Sequence, residues 1–312
     1  MKKELMSLPL LSLLSLSPAS FADSIEQADL SPCNTLIDFD SLPLGQQANP
    51  LALPGVTIGS SGFLSVNDIA PAGAANPELV QGQVLTTVLG PGFSGSHAPI
   101  TLVFTTPVAE VGLAWWDPNT PGNKLMAYDA TGALLEEVEA ATFPTGGCCA
   151  DFVGIRRPTN DIASVVVQNA SQGEWYAIDT LSFGGQVSSE VVRLGVPPNP
   201  DALRPGVTSG PAIGKVWDPR IDHTTFLPGA TLDFMGITAN SLNVDLPPIG
   251  TLLCDPAQIV SIETAAAGTP FGVPIPNDCA LVGAVACTQG VSLDTFGSLN
   301  LTNALDITIG AH

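Results

Sequence analysis

Thr101-Leu102-Val103-Phe104-Thr105, Glu110-Val111-Gly112-Leu113-Ala114-Trp115-Trp116 and Lys124-Leu125-Met126-Ala127-Tyr128 follow one another closely. Only Thr106-Pro107-Val108-Ala109 and the turn-forming Asp117-Pro118-Asn119-Thr120-Pro121-Gly122-Asn123 stand between them. Each run is short, rich in β-branched or aromatic residues and bounded by turn chemistry, which is the pattern of strands in an antiparallel sheet. Working outward, Ser164-Val165-Val166-Val167-Gln168 and Ala177-Ile178-Asp179-Thr180-Leu181-Ser182-Phe183 repeat the pattern, and Asp129-Ala130-Thr131-Gly132 is another turn. The chain has 28 prolines and 31 glycines spread along its length, which suit loops and edge strands better than helices. Many short strands with frequent turns predict an all-β protein of antiparallel sandwiches.

Two modules are expected. Gly184-Gly185-Gln186 ends one strand pattern, and Val196-Pro197-Pro198-Asn199-Pro200 is stiff and extended. A second strand-and-turn series begins at Gly206. These features place a β-sandwich at 30–185, a linker at 186–204 and a second β-sandwich at 205–312, with the boundary near residue 195.

The first 22 residues read differently. Met1-Lys2-Lys3-Glu4 is followed by an apolar run from Leu5 to Leu16, then Ser17-Pro18-Ala19-Ser20-Phe21-Ala22. A basic start, a short apolar stretch and small residues at Ser20 and Ala22 predict a signal peptide cut after Ala22. The run is too short to span a bilayer. The expected location is therefore secreted or at the cell surface, with the periplasm as an alternative and without membrane insertion.

Nine basic residues stand against 29 acidic ones, giving a net charge of −20. A field of that sign repels nucleic acid and anionic lipid and keeps the chain soluble. Apolar residues make up 45% of the sequence, enough for a real core. The cysteines are Cys33, Cys148, Cys149, Cys254, Cys279 and Cys287. In an exported chain they are expected in disulfides. Three fall in each half, leaving one odd cysteine per half unless a bridge crosses. Cys148 and Cys149 could form a strained vicinal bridge, but pairing of one of them with Cys33 is the simpler reading; in the second half Cys279 and Cys287 could staple adjacent segments, or Cys254 could pair with either. With three histidines and no Cys-x-x-Cys, a tetrahedral zinc site is not expected.

The order Ile37-Asp38-Phe39-Asp40-Ser41-Leu42, Pro54-Gly55-Val56, Val111-Gly112-Leu113, Tyr128-Asp129-Ala130-Thr131-Gly132 and Tyr176-Ala177-Ile178-Asp179-Thr180-Leu181-Ser182-Phe183 resembles exported bacterial jelly-roll modules. These are the modules of PEP-CTERM-type proteins, which are similar to carbohydrate-binding jelly rolls. The resemblance implies a structural calcium ion near the first and last strands, with carboxylates from Asp38, Asp40 and Asp179. Calcium takes six to eight oxygen ligands, so backbone carbonyls would complete the set.

Residues 199–310 resemble a module recurrent near the C-termini of large exported planctomycete-like or marine bacterial proteins. The matching stretches include Trp217-Asp218-Pro219-Arg220-Ile221-Asp222-His223, Cys287-Thr288-Gln289-Gly290 and Leu301-Thr302-Asn303-Ala304-Leu305-Asp306. That resemblance implies a small β-sandwich for attachment and no particular activity.

Candidate sites follow. Trp115, Trp116, Trp175 and Tyr176 are the aromatics that would stack on sugars. Neighbouring residues on a strand face opposite ways, so one of each pair is expected in the core. Asp218, Arg220, Asp222 and His223 form the densest polar cluster, read either as an acid/base or metal site or as a loop tied by an Arg–Asp pair. Gly92-Phe93-Ser94-Gly95-Ser96-His97 lacks the last glycine of a nucleophile elbow. The favoured reading is a secreted, non-catalytic binding or adhesion protein for extracellular polysaccharide or surface glycan. The alternatives are a secreted hydrolase with an unrecognised site, or a self-associating structural component of a surface or matrix.

Overall fold

Alternation along each strand decides the layering. In the strand Lys124–Tyr128, Leu125 and Ala127 are buried while Lys124, Met126 and Tyr128 face the other way. Ile162–Gln168 repeats this with Val165 and Val167 inward, and Ile100–Val108 with Ile100, Leu102 and Phe104 inward. Side chains two apart share a face, so each strand supplies one apolar row to a common core.

The computed structural model describes residues 23–68, 79–89, 94–95, 98–143, 149–170 and 176–312. The chain is built almost wholly of antiparallel strands. In the first half, Ala150–Arg156, Glu110–Trp116, Ala177–Gly184, Gln83–Thr86 and Ser65–Asp68 lie side by side in that order within a seven-stranded sheet. Asp23–Ser24 edges it, and Thr35–Ile37 pairs with Ala177–Gly184. The facing six-stranded sheet runs Leu134–Glu139, Lys124–Tyr128, Ile162–Gln168, Ile100–Val108, Val56–Ser60, Leu51–Leu53. The chain crosses between the two sheets repeatedly, which gives a jelly-roll-like sandwich. Its core draws on both sheets: Ile58, Leu102 and Val165 from one meet Val111, Leu113, Trp115 and Ile178 from the other.

The second half centres on a five-stranded sheet, Ser189–Arg193, Leu299–Thr308, Val285–Asp294, Ala230–Thr238, Ile259–Ala266 in spatial order. One face buries Met235, Leu305 and Ile307 against Leu203, Trp217, Ile221, Phe271 and Val273. The opposite face is partly covered by the hairpin Ser241–Leu246/Gly250–Cys254. Polar side chains tie that hairpin down. Gln289 receives the Leu253 amide and donates to the Thr251 and Thr302 carbonyls. Asn199 receives the Thr251 amide and donates to the same two carbonyls. Both side chains are buried, and the bonds keep their polar atoms satisfied.

Two expectations are corrected here. Residues 186–204 are not a free linker, because Ser189–Arg193 is an edge strand of the five-stranded sheet, paired along Leu299–Thr308. The Arg193 guanidinium fixes it by a bidentate bond to Asp306 and by donation to the Leu242 and Leu253 carbonyls. Cys33 does not pair with Cys148 or Cys149. It bridges to Cys279 across 246 residues, because the segment carrying it packs against the core of the second half. Cys254 bridges to Cys287 and fastens the hairpin to the sheet. Cys149 is also disulfide-bonded, and Cys148 lies outside the described residues. The predicted signal peptide lies outside the described residues too. No helix among the described residues is long and apolar enough to cross a membrane.

Candidate functional site

The expected aromatic platform is not on the surface. Trp115 is fully buried in the sandwich core, its ring 5.4 Å from that of Tyr176, whose hydroxyl donates to the Ala98 carbonyl. Trp116 points to the opposite face, as alternation requires. It is nevertheless only 3% exposed, because Val80, Val84, Ala150 and Ala177 pack around it. Trp115, Trp116 and Tyr176 therefore offer no ring face to a sugar. Trp175 lies outside the described residues.

The outward face of the six-stranded sheet has a different character. Register places Tyr128, Ser164, Val103, Thr57 and Ala52 in one row across five strands. The next row is Glu137, Met126, Val166, Thr101 and Gly59. Apart from Glu137, these rows carry no charge, and they lie on a chain of net charge −20. The charged groups gather at one edge, where Lys124 and Glu137 pair at 2.6 Å and Glu139 receives the Gly122 amide. Five strands spaced by roughly 4.8 Å make this a surface about 20 Å wide. The Tyr128 hydroxyl contacts the Met126 sulfur at 3.6 Å, so the ring lies along its strand instead of standing off it. Sequence reasoning did not single out Tyr128. The signal was present in the Lys124-x-Met126-x-Tyr128 alternation, overshadowed by the adjacent tryptophans.

Asp38, Asp40 and Asp179 are brought together. Asp179 is 3% exposed and accepts the Gln81 amide at 3.0 Å and the Thr180 amide at 2.7 Å. Burial pushes its carboxyl up to about 7, against the pull of those amides, and the nearby charges of Asp40 and Asp38 push the same way. Asp40 receives the Gln83 amide at 2.6 Å, and its carbonyl receives the Gln83 side chain. Gly82 sits so close that a Cβ there would lie 2.2 Å from the Asp40 carboxylate. Phe39 (φ 61°) and Thr180 (φ 49°), each next to one of these acids, hold left-handed backbone that side-chain-bearing residues rarely adopt. The donors are hard oxygens and suit calcium in kind and charge. Among the described residues, however, no three acidic, His or Cys side chains converge as a metal-holding group.

The cluster read at 218–223 comes apart in three dimensions. Asp218 receives the Thr208 and Ser209 amides and the Thr208 hydroxyl. Asp222 receives the Thr224 amide and hydroxyl, and its side chain is 4.0 Å from Arg204. Arg220 is exposed. His223 instead meets a residue that sequence reasoning did not single out. Its Nε2 is 2.9 Å from the buried Asp233 carboxylate, which also accepts the Ser292 hydroxyl at 2.7 Å and the Gly268 amide at 2.9 Å. A nucleophile–base–acid relay needs the serine on the imidazole. Here both groups bond to the aspartate, which works as a hub fastening a loop and a turn to the sheet. Ser96 and His97 lie outside the described residues.

No family model matches the chain, and no curated protein matches it. Among solved structures, it is similar to a β-1,2-glucanase from Parabacteroides distasonis at 12% identity and a TM-score of 0.27. That match covers 89% of this chain and 38% of the glucanase, so the chain spans well under half the enzyme's length. It is also similar to the N-terminal CBM22-1-CBM22-2 tandem domain of Xyn10C from Paenibacillus barcinonensis, at 9% identity and a TM-score of 0.28, covering 88% of each chain. Likenesses this slight carry no argument about what this chain does.

Proposed function

We propose that this is an exported, non-catalytic protein that binds an uncharged extracellular polysaccharide on the outward face of its six-stranded sheet. The observation that carries this reading is the uncharged surface from Tyr128 to Ala52, on a chain whose acidic residues outnumber its basic ones 29 to 9. An outward sheet face that meets only water is usually polar. This one sets an aromatic ring, a methionine and valines among the hydroxyls of Ser164, Thr101 and Thr57. A sugar ring asks for that mixture, with C–H faces to lie on apolar surface and hydroxyls to trade hydrogen bonds. The net charge disfavours anionic glycans and leaves neutral ones. Export rests on the leader at 1–22, and the bridges Cys33–Cys279 and Cys254–Cys287 fit an oxidising compartment.

A calcium ion is no part of this reading, because Asp38, Asp40 and Asp179 do not converge as a metal-holding group. The binding test is depletion of the protein by a panel of insoluble neutral and anionic polysaccharides, followed by calorimetry on the best of them. Retention on a neutral glycan supports the reading, and preference for polyanions contradicts it.

A further inference from the structure

Gly112 opens a hollow on the outer face of the seven-stranded sheet. Val111 and Leu113 on either side of it point into the sandwich core, so its own position faces out. Register sets Gly112 between Gly154 and Ser182, and these three strands meet there with one short side chain among them. The Phe152 ring leans over the gap, since a Cβ on Gly112 would collide with it. Leu36 pairs with Ser182 on the next strand and bounds the other side. The segment 27–34 supplies the opposite wall of a pocket of about 240 Å³.

That wall is held in place. The Ile25 amide donates to the Gly154 carbonyl at 3.3 Å, and the Ser31 amide to the buried Glu110 carboxylate at 2.7 Å. The Arg156 guanidinium donates to the Asp29 carbonyl, and the Cys33–Cys279 bridge fixes the far end. Walls already ordered leave little ordering cost to be met on binding.

The lining sets the chemistry of the occupant. No charged side chain lines the pocket, and Phe152, Leu30 and Leu36 give it apolar surface. The Ser182 oxygen accepts the Asn34 carboxamide and the Ser31 oxygen accepts the Cys33 amide, so each hydroxyl proton is left to donate. The Gln27 carboxamide is exposed at the rim and can both donate and accept. An uncharged molecule with hydroxyls on its edge and a C–H face for the aromatic ring meets all of these groups. A water molecule's share of liquid is about 30 Å³, so the space equals roughly eight waters, room for one sugar ring and not for two.

We propose that this pocket binds one uncharged pyranose ring, as a second carbohydrate site. The face carrying Tyr128 belongs to the other sheet, so the pocket stands or falls without it.

The test is saturation-transfer NMR of the whole chain with free neutral hexoses and pentoses, the matching sugar acids, and oligosaccharides ending in each sugar. Calorimetry follows on the tightest. Leu36→Trp, Gln27→Ala and Tyr128→Ala are run beside the parent with melting curves. Leu36 is 62% exposed, so a larger side chain there crowds the pocket without entering the core. A neutral monosaccharide should bind, weakened at least about tenfold by Leu36→Trp and about fivefold by Gln27→Ala, which removes one hydrogen bond. Tyr128→Ala should leave that affinity unchanged. Gln27→Ala, on an exposed residue, carries the test if Leu36→Trp does not fold. Either source of the ring supports the pocket: an oligosaccharide that binds as well as its terminal sugar marks chain ends, and one that binds less well marks the free sugar. The proposal is overturned if no neutral sugar binds, if the sugar acid binds tighter, or if affinity is unmoved in the folded pocket variants. Affinity lost in Tyr128→Ala alone overturns it too and places the sugar on the other sheet.

Discussion

Replacing Asp179 by Asn should flatten the pH dependence of stability. In the folded chain the Asp179 carboxyl is held at about 7, chiefly by burial, against 3.8 for an aspartate free in water. Because the folded-state value is raised, the native protein holds this proton more tightly than the unfolded chain does. Between about pH 4 and pH 7 stability therefore falls as pH rises, and above that window the penalty is complete. At about 1.4 kcal/mol per pH unit, the full penalty is about 4 kcal/mol as an upper bound, of which about 2–3 kcal/mol develops between about pH 5 and pH 8. Water around the exposed Asp38 and Asp40 screens part of it.

The asparagine cannot ionise, so that component of the slope disappears. It also accepts only one of the Gln81 and Thr180 amides, which lowers stability by about 1–3 kcal/mol at every pH. The slope is therefore the diagnostic, not the level. Urea unfolding of both proteins at several pH values measures it. A variant whose stability falls with pH as steeply as the parent's would refute the burial argument.

Other perturbations follow from the packing. Trp115→Ala should cost about 3–5 kcal/mol in denaturant unfolding, because it empties a fully buried site in the sandwich core. Gly82→Ala should lower stability by about 1–3 kcal/mol, since φ is +60° and the new Cβ would collide with the Asp40 carboxylate; near-parental stability would contradict the fit of that loop. Cys33→Ser with Cys279→Ser should lower the unfolding midpoint by the equivalent of about 2–5 kcal/mol, because the bridge closes a very long loop. Peptide mapping without reduction should recover Cys33 joined to Cys279.

The strands were legible because alternation and turn chemistry are local. Trp116 was not, because alternation turns one of two adjacent tryptophans away from the core, while the Val80 and Val84 that cover Trp116 arrive from distant sequence. Tyr128 had the opposite fate: the same alternation that turned it outward was visible, yet burial is what distinguishes a ring available for contact from one in the core. The bridge from Cys33 to Cys279 spans 246 residues and leaves no local trace. The cluster at 218–223 looked dense only along the chain. Its partners Thr208, Arg204 and Asp233 belong to other segments, and they pull its members apart. The nearness of Asp38 and Asp40 to Asp179 follows from the first and last strands of the sandwich pairing, Thr35–Ile37 on Leu181–Phe183.

The most direct test of the binding surface is calorimetric titration of the best neutral polysaccharide into the parent protein and into Tyr128→Ala, with matched melting curves. Tyr128 is half-exposed on the outward face, so its truncation should leave the fold intact and weaken binding at least about tenfold, or about 1.4 kcal/mol. Parental affinity in a folded Tyr128→Ala protein would place the binding surface elsewhere.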